Sequence, residues 1–357
     1  RYHRAYEQWE CHQDRRGATY ARVGFFRGGG LHKKKQVSQE LFSEIVSLSN
    51  LLLAWERFRK GKRKRFDVMI FEQQLEDNLF EIRDELVADS YRHSPYEPFT
   101  IHDPKQRTIH KALVRDRVVH QAIVNVIEPI FETRFIHDSY SCRVGKGTHA
   151  AVARLRTMLR SASKNDSRTV YALKCDIRKF FATVNHDILL RLLETRIQDT
   201  KTLSLIELVI NSFEATPGIG IPLGNLTSQL FANVYLHELD WQIKQKLNIR
   251  HYVRYCDDFV ILVPSKSAGL ALAGKIDQFL HDELRLRLHP NKVHIRTWTQ
   301  GIDFLGYVLL PNVTILRPST ARRAMRSVSP ENIESYLGLC SHAAAFEIES
   351  VLRNKMG

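Results

Sequence analysis

His251-Tyr252-Val253-Arg254-Tyr255-Cys256-Asp257-Asp258-Phe259-Val260-Ile261-Leu262-Val263 is the stretch whose reading decides the fold. Two runs rich in aromatic and β-branched residues flank a very short acidic link, which is the pattern of a β-hairpin. Adjacent carboxylates in a tight turn repel each other and cannot join a hydrophobic core. A positive partner is therefore expected, and a hard divalent cation held by carboxylate oxygens suits the position. The competing reading of Asp257-Asp258 taken alone is a solvated turn, where Asp bonds its own backbone.

A second acidic strand end strengthens the cation reading. Thr169 to Cys175 forms a strand-like run that stops at Asp176, followed by Ile177-Arg178-Lys179-Phe180-Phe181. Asn185-His186-Asp187 then opens an amphipathic helix. A carboxylate at one strand end, set beside a carboxylate-bearing hairpin, suits a pair of metal ions roughly 3.5–4 Å apart that stabilise the attacking and leaving oxygens of a phosphoryl displacement.

The whole chain limits the partners. Its 357 residues suffice for two or three domains with a buried core. A net charge of +14 points to a polyanion, with nucleic acid first and an anionic membrane second. No apolar run is long enough to span a bilayer: Leu51-Leu52-Leu53-Ala54-Trp55 is short and flanked by Ser and Arg. Cys11, Cys142, Cys175, Cys256 and Cys340 are odd in number and lack zinc-ligand spacing. Reduced cytosolic thiols are expected, and no secretory signal opens the chain.

In chain order, residues 1–37 read as a flexible extension, with a break at Gly28-Gly29-Gly30 and the run Lys33-Lys34-Lys35. Residues 38–100 turn helical: Leu41, Ile45, Leu48 and Leu52 share one face, and Phe71, Leu75, Leu79 and Ile82 another. The basic run between them includes Lys62, Arg63, Lys64 and Arg65 and suits a phosphate backbone without sequence preference, against the plainer reading of a solvated face. Phe99 to Ile109 reads as a hairpin with Lys105 and Arg107 projecting from one side, as a triphosphate grip or as charged edge gatekeepers. A core helix follows over Val118–Phe131. Ser139 to His149 is a glycine-bearing loop opening another helix, a weak phosphate-cradle signal without Walker spacing. Thr216 to Gly224 is too rich in Gly and Pro for regular structure, and helices are expected over Leu226–Leu239 and Ala268–Leu284. Gly301 to Leu309 reads as a further hairpin, and the residues after it as a small basic helical region with Arg317, Arg322, Arg323 and Arg326.

These blocks, in this order, resemble a reverse transcriptase. The likeness runs from the Pro-Lys-x-Arg hairpin through Ser-Tyr-x-Cys-Arg, Asp176 with Phe180-Phe181, Gly-Ile-Pro-x-Gly and Tyr-Cys-Asp-Asp. It continues to Pro290-Asn291-Lys292 and Phe304-Leu305-Gly306. Within that superfamily of group II intron and retron-like enzymes, the chain is most similar to those of diversity-generating retroelements. Ile221 to Gln229 carries this: Leu223-Gly224 stands where intron-type and retroviral enzymes usually have Gln-Gly, and Ser228-Gln229 where intron-type enzymes have Ser-Pro. The compact size, with no room for maturase and endonuclease domains, agrees.

The resemblance implies an α+β right-hand polymerase: fingers and palm over residues 101–315, an antiparallel palm sheet backed by helices, and a small helical thumb over 316–357. It assigns catalysis to Asp176, Asp257, Asp258 and Lys292, with Lys292 as proton donor to the leaving group. Two Mg²⁺ ions, or Mn²⁺ in substitution, would bind Asp176, Asp257, Asp258 and the Ile177 carbonyl. Lys105 and Arg107 would hold the phosphates of the incoming nucleotide, Phe181 would exclude the ribose 2′-OH, and Leu223 and Gly224 would lie by the template base. Tyr255 would touch the primer end. The implied partners are template RNA, a cDNA or primer strand, dNTPs and a small basic accessory protein, in a prokaryotic cytoplasm. The implied product is cDNA with errors opposite template adenines. A retron, phage-defence or intron-type enzyme is the near alternative, and a catalytically idle RNA-binding scaffold the distant one. A viral RNA-dependent RNA polymerase is disfavoured by the bulky, apolar Phe181.

Overall fold

The computed structural model describes residues 40–102 and 106–355, so the expected extension at residues 1–37 and the expected phosphate ligand Lys105 lie outside the described residues. Two compact units share the chain. One takes Phe135–Val184 with Tyr235–Gly357; the other takes the described chain up to Arg134 with Asn185–Val234.

The second of these units begins with helices α1 (Leu41–Ile45), α2 (Leu48–Arg59), α3 (Phe66–Gln73) and α4 (Leu75–Val87). The expected helical faces are each interrupted. Ser47 accepts a bond from the Asn50 amide and caps a new helix, which rotates the buried face to Leu51, Ala54, Trp55 and Phe58. Leu52 consequently lies 48% exposed, on the outside. Gln74 breaks the other pattern between α3 and α4. The Trp55 and Phe71 rings meet at 5.1 Å, tying α2 to α3. An antiparallel hairpin follows, β1 (Glu97–Ile101) and β2 (Arg107–Lys111), in which Ile101 faces Arg107. Helix α5 (Val114–Glu132) supplies the core of this unit through Val118, Val119, Ile123 and Ile127.

In the first unit, α6 (Thr148–Ala162) precedes β3 (Tyr171–Asp176) and the short α7 (Phe180–Thr183). The chain then returns to the other unit for α8 (His186–Glu194), capped by Asn185, and α9 (Thr200–Asn211), capped by Asp199. Helix α10 (Leu226–Trp241) carries it back. There follow β4 (Tyr252–Tyr255), β5 (Asp258–Val263), α11 (Lys266–Leu284) and β6 (His294–Thr297). The antiparallel sheet order is β4-β5-β3-β6, and its register sets Asp176 opposite Asp258. Phe259, Val260 and Ile261 on β5 are fully buried, which explains a run without polar alternation.

The expected terminal hairpin is larger than the sequence suggested. β7 (Ile302–Phe304), β8 (Tyr307–Leu309) and β9 (Thr314–Leu316) form a three-stranded antiparallel sheet. Three apolar residues cannot announce β9, whose pairing with β8 comes from tertiary context. Helices α12 (Pro318–Ser327), α13 (Ile333–Cys340) and α14 (Phe346–Asn354) close the chain. One hydrophobic cluster joins these helices to the sheets and α6 through Leu155, Val253, Val260, Phe304, Tyr307, Leu337 and Leu352. Each such fully buried side chain contributes about 1.5–3 kcal/mol.

Candidate active site

Cys256 and Asp257 alone link β4 to β5, with Tyr255 and Asp258 as the closing pair. Cys256 adopts φ +54°, the left-handed conformation that lets a two-residue turn follow the strand twist. A buried side chain secures this turn. Arg254 is fully buried: it donates to both Asp240 carboxylate oxygens at 2.7 and 2.6 Å and to the Cys256 carbonyl at 3.1 Å. Tyr252 donates its hydroxyl to Asp240 at 2.6 Å. The Ile177 amide donates to the Asp257 carbonyl at 3.2 Å, fastening the end of β3 to the turn.

Two lysines face the carboxylates. Lys292 Nζ donates to Asp176 Oδ1 at 2.7 Å, and Lys174 Nζ stands 3.4 Å from Asp258 Oδ2. Asp258 Oδ1 is buried with no hydrogen-bond partner among the described residues. Burial, reinforced by Asp176, pushes the Asp257 carboxyl up to about 6. Burial raises Asp258 to about 7, with Lys174 opposing and Asp257 and Asp176 adding.

These residues fit a divalent cation. An unpartnered buried carboxylate oxygen and two carboxyls strained by their own repulsion are what such an ion relieves. Among the described residues no three His, Cys, Asp or Glu side chains close into a ready cage. Mg²⁺ does not require one, because it ordinarily takes one or two carboxylates and completes its shell with water and substrate phosphates.

The raised carboxyls give the unfolding equilibrium a definite pH dependence. Unfolded, both groups ionise near pH 4. Between there and about 7 the native state binds more protons than the unfolded state, so stability falls as pH rises through that window. In chelator, the melting temperature is expected to drop by a few degrees from pH 5 to pH 7.5, and the drop should shrink in the Asp257→Asn/Asp258→Asn double variant. Thermal scans across pH check this; an identical drop in both proteins assigns it to other groups.

Residues 102–309, more than half of the chain, match the family described as "Reverse transcriptase (RNA-dependent DNA polymerase)". The chain belongs to the reverse transcriptase family. Among its relatives is Protein YkfC of Escherichia coli, 27% identical over 272 residues, covering 64% of this chain and 70% of that protein. The group II intron-encoded protein LtrA of Lactococcus lactis is 24% identical over 289 residues, covering 62% of this chain and 46% of its own length. Nuclear intron maturase 3 of Arabidopsis thaliana is 26% identical over 250 residues, covering 59% of this chain and 33% of the maturase. The chain thus spans less than half of these two intron-related relatives.

Within this reverse transcriptase chain the expected site residues fall into two groups. Asp176, Ile177, Asp257, Asp258 and Lys292 come together in one unit, with Tyr255 half-buried beside Thr148, whose hydroxyl donates to the Tyr255 hydroxyl at 3.3 Å. Phe181 is half-buried in the same unit, its ring edge-on to the buried Phe180 at 5.2 Å. Arg107, Leu223 and Gly224 belong to the other unit, where the two sequence blocks do meet. The His110 amide donates to the Leu223 carbonyl at 3.1 Å. Gly224 has φ +103°, and a Cβ there would stand 2.7 Å from Ile109 Cγ2. That contact explains a glycine at this position.

The basic run is only partly available to solvent. Arg63 and Lys64 are exposed. Lys62 instead folds back, donating to the Phe58 carbonyl at 2.7 Å with its ammonium 4.9 Å from the Phe58 ring. Burial, with Arg117 and Arg65 nearby, lowers that ammonium to about 8. The sequence reading passed over Arg254, Asp240 and Lys174. Lys174 had a visible signal, since it lies two residues before Asp176 and so shares its face of β3.

No helix among the described residues is long and apolar enough to cross a membrane. Among the described residues, Cys142, Cys175, Cys256 and Cys340 form no disulfide.

Proposed function

We propose that this protein is an RNA-directed DNA polymerase with a right-hand layout, residues 101–315 serving as fingers and palm and 316–357 as thumb. The observation that carries the reading is the Asp257-Asp258 turn held in register with Asp176, with one buried Asp258 oxygen unpartnered. Asp176, Asp257, Asp258 and the Ile177 carbonyl would hold divalent cations, Mg²⁺ first and Mn²⁺ in substitution. When bound, such ions neutralise charge on the attacking 3′-oxygen and the departing pyrophosphate. Lys292, held on Asp176, gives its proton to that pyrophosphate. Lys105 and Arg107 grip the nucleotide phosphates, Tyr255 meets the primer end, and the exposed Arg63 and Lys64 follow the nucleic-acid backbone.

Phe181 excludes ribonucleotides by its bulk. Phe181→Val is expected to raise incorporation of a ribonucleotide relative to the deoxynucleotide by about tenfold or more in single-nucleotide assays. Unchanged discrimination moves the gate elsewhere.

The enzyme is of the diversity-generating type, copying a template-repeat RNA with errors opposite adenine and aided by a small basic accessory protein. Leu223-Gly224 and Ser228-Gln229 support this, since an aliphatic residue beside the template base gives no hydrogen bond to favour the right pair. An intron-type enzyme is the second reading, supported by LtrA and the maturase among the relatives. Primer extension on RNA with Mg²⁺ and dNTPs, with and without the accessory protein, tests both. Extension with errors concentrated at template adenines favours the first, faithful extension favours the second, and no extension on any primed RNA removes the polymerase reading.

A further inference from the structure

Lys174 is the charged residue nearest Asp258 that the reaction outlined above leaves without a task. Its placement follows from strand geometry. Asp176 pairs with Asp258 across β3 and β5, and Lys174 pairs with Val260 two residues farther along. Lys174 and Asp258 are therefore diagonal neighbours, within reach of a long side chain on one sheet face. The ammonium stands 3.4 Å from Asp258 Oδ2 and 3.7 Å from Asp303 Oδ1 on β7. Asp303 is anchored in turn by the Arg317 guanidinium, and the Arg317 amide donates to the Gly306 carbonyl at 2.8 Å. A chain of alternating charge thus runs from the Asp-Asp turn through β3 and β7 to the start of α12.

This chain treats the two oxygens of Asp258 differently. Oδ2 is engaged by Lys174, while Oδ1 is buried and has no partner among the described residues. We propose that Lys174, steadied by Asp303, is a positioning residue that fixes the Asp258 carboxylate so that only Oδ1 is presented to a divalent cation. The proposal rests on the polymerase reading above. It separates two effects that removing a lysine would otherwise blur. An ammonium beside a cation site competes with the cation, so its loss should tighten cation binding. An unpositioned Asp258 would hold the cation in a poor geometry, so turnover should fall.

The test uses the full chain and its Lys174→Met, Lys174→Arg and Asp303→Asn variants. Mn²⁺ binding is read by electron paramagnetic resonance without substrate, and single-nucleotide incorporation is read separately. Lys174→Met is expected to bind Mn²⁺ about fivefold more tightly. Its kcat should fall about tenfold or more, with KM for primer–template within about twofold of the parent. Lys174→Arg keeps the charge and restores most of kcat. Asp303→Asn, which leaves the shape intact, gives a smaller loss of kcat in the same direction and keeps the test open should Lys174→Met fail to fold. A Lys174→Met protein with parental kcat overturns the proposal, as does one that loses both Mn²⁺ binding and turnover when Lys174→Arg loses them equally. A parent protein that neither binds Mn²⁺ nor extends a primer overturns the polymerase reading and this proposal with it.

Discussion

Asp257→Asn is expected to lower nucleotide incorporation by about a thousandfold or more while leaving the melting temperature at pH 7.5 no lower than that of the parent. The two halves of this result share a cause. Asp257 is half-buried, and desolvation with Asp176 nearby pushes its carboxyl up to about 6, so at pH 7.5 the folded protein carries a charge that it disfavours. The amide removes that repulsion and, with it, the anionic ligand that the proposed polymerase mechanism requires where charge develops in the transition state. Asp176→Asn should lose activity equally but gain no stability, because its carboxylate is already balanced by Lys292 at 2.7 Å. Primer extension in Mg²⁺ and thermal melts of the three proteins check both halves. Near-parental extension by Asp257→Asn ends its catalytic assignment.

The second large effect is on folding. Arg254→Met is expected to destabilise the protein by about 3–5 kcal/mol, because it strands the Asp240 charge in a fully buried position. The Tyr252 hydroxyl keeps one bond to Asp240, which favours the lower end of that range. Replacing both partners, Arg254→Met with Asp240→Leu, should recover a good part of the loss, since no orphaned charge remains. Urea denaturation of the single and double variants measures this. A single variant that unfolds at the parental midpoint shows that the pair contributes nothing net.

What could be read from the sequence divides along a physical line. The hairpin around Asp257, the strand ending at Asp176 and the long helices α5, α10 and α11 were legible because their patterns are local: β-branched runs, helical periodicity, Gly and Pro breaks. The breaks at Ser47 and Gln74 were missed because the apolar spacing on either side happens to continue across them. Arg254 looked like one more strand residue. Its burial depends on Asp240, which lies on α10, and no local pattern links the two. Lys62 looked like part of a run reaching for a phosphate backbone, yet its stem and ammonium lie against Phe58. The carboxylate cluster was legible as residue types, but the unequal surroundings of the two Asp258 oxygens exist only in three dimensions.

The division of the chain also governs how it is made. Among the described residues, the unit bearing Asp176 is assembled from two stretches, with Asn185–Val234 of the other unit lying between them. Strand β3 pairs with β5 on one side and β6 on the other, and the cluster beneath them includes Leu316, Leu337 and Leu352. On a ribosome, β3 emerges on the order of ten seconds before the helices that bury its neighbours. Until β5 and β6 follow, it has two unpaired edges and the apolar residues Ala172 and Leu173 in water. The unit therefore cannot complete its apolar cluster until α13 and α14 have been made, and a chain halted before α12 lacks Leu337 and Leu352.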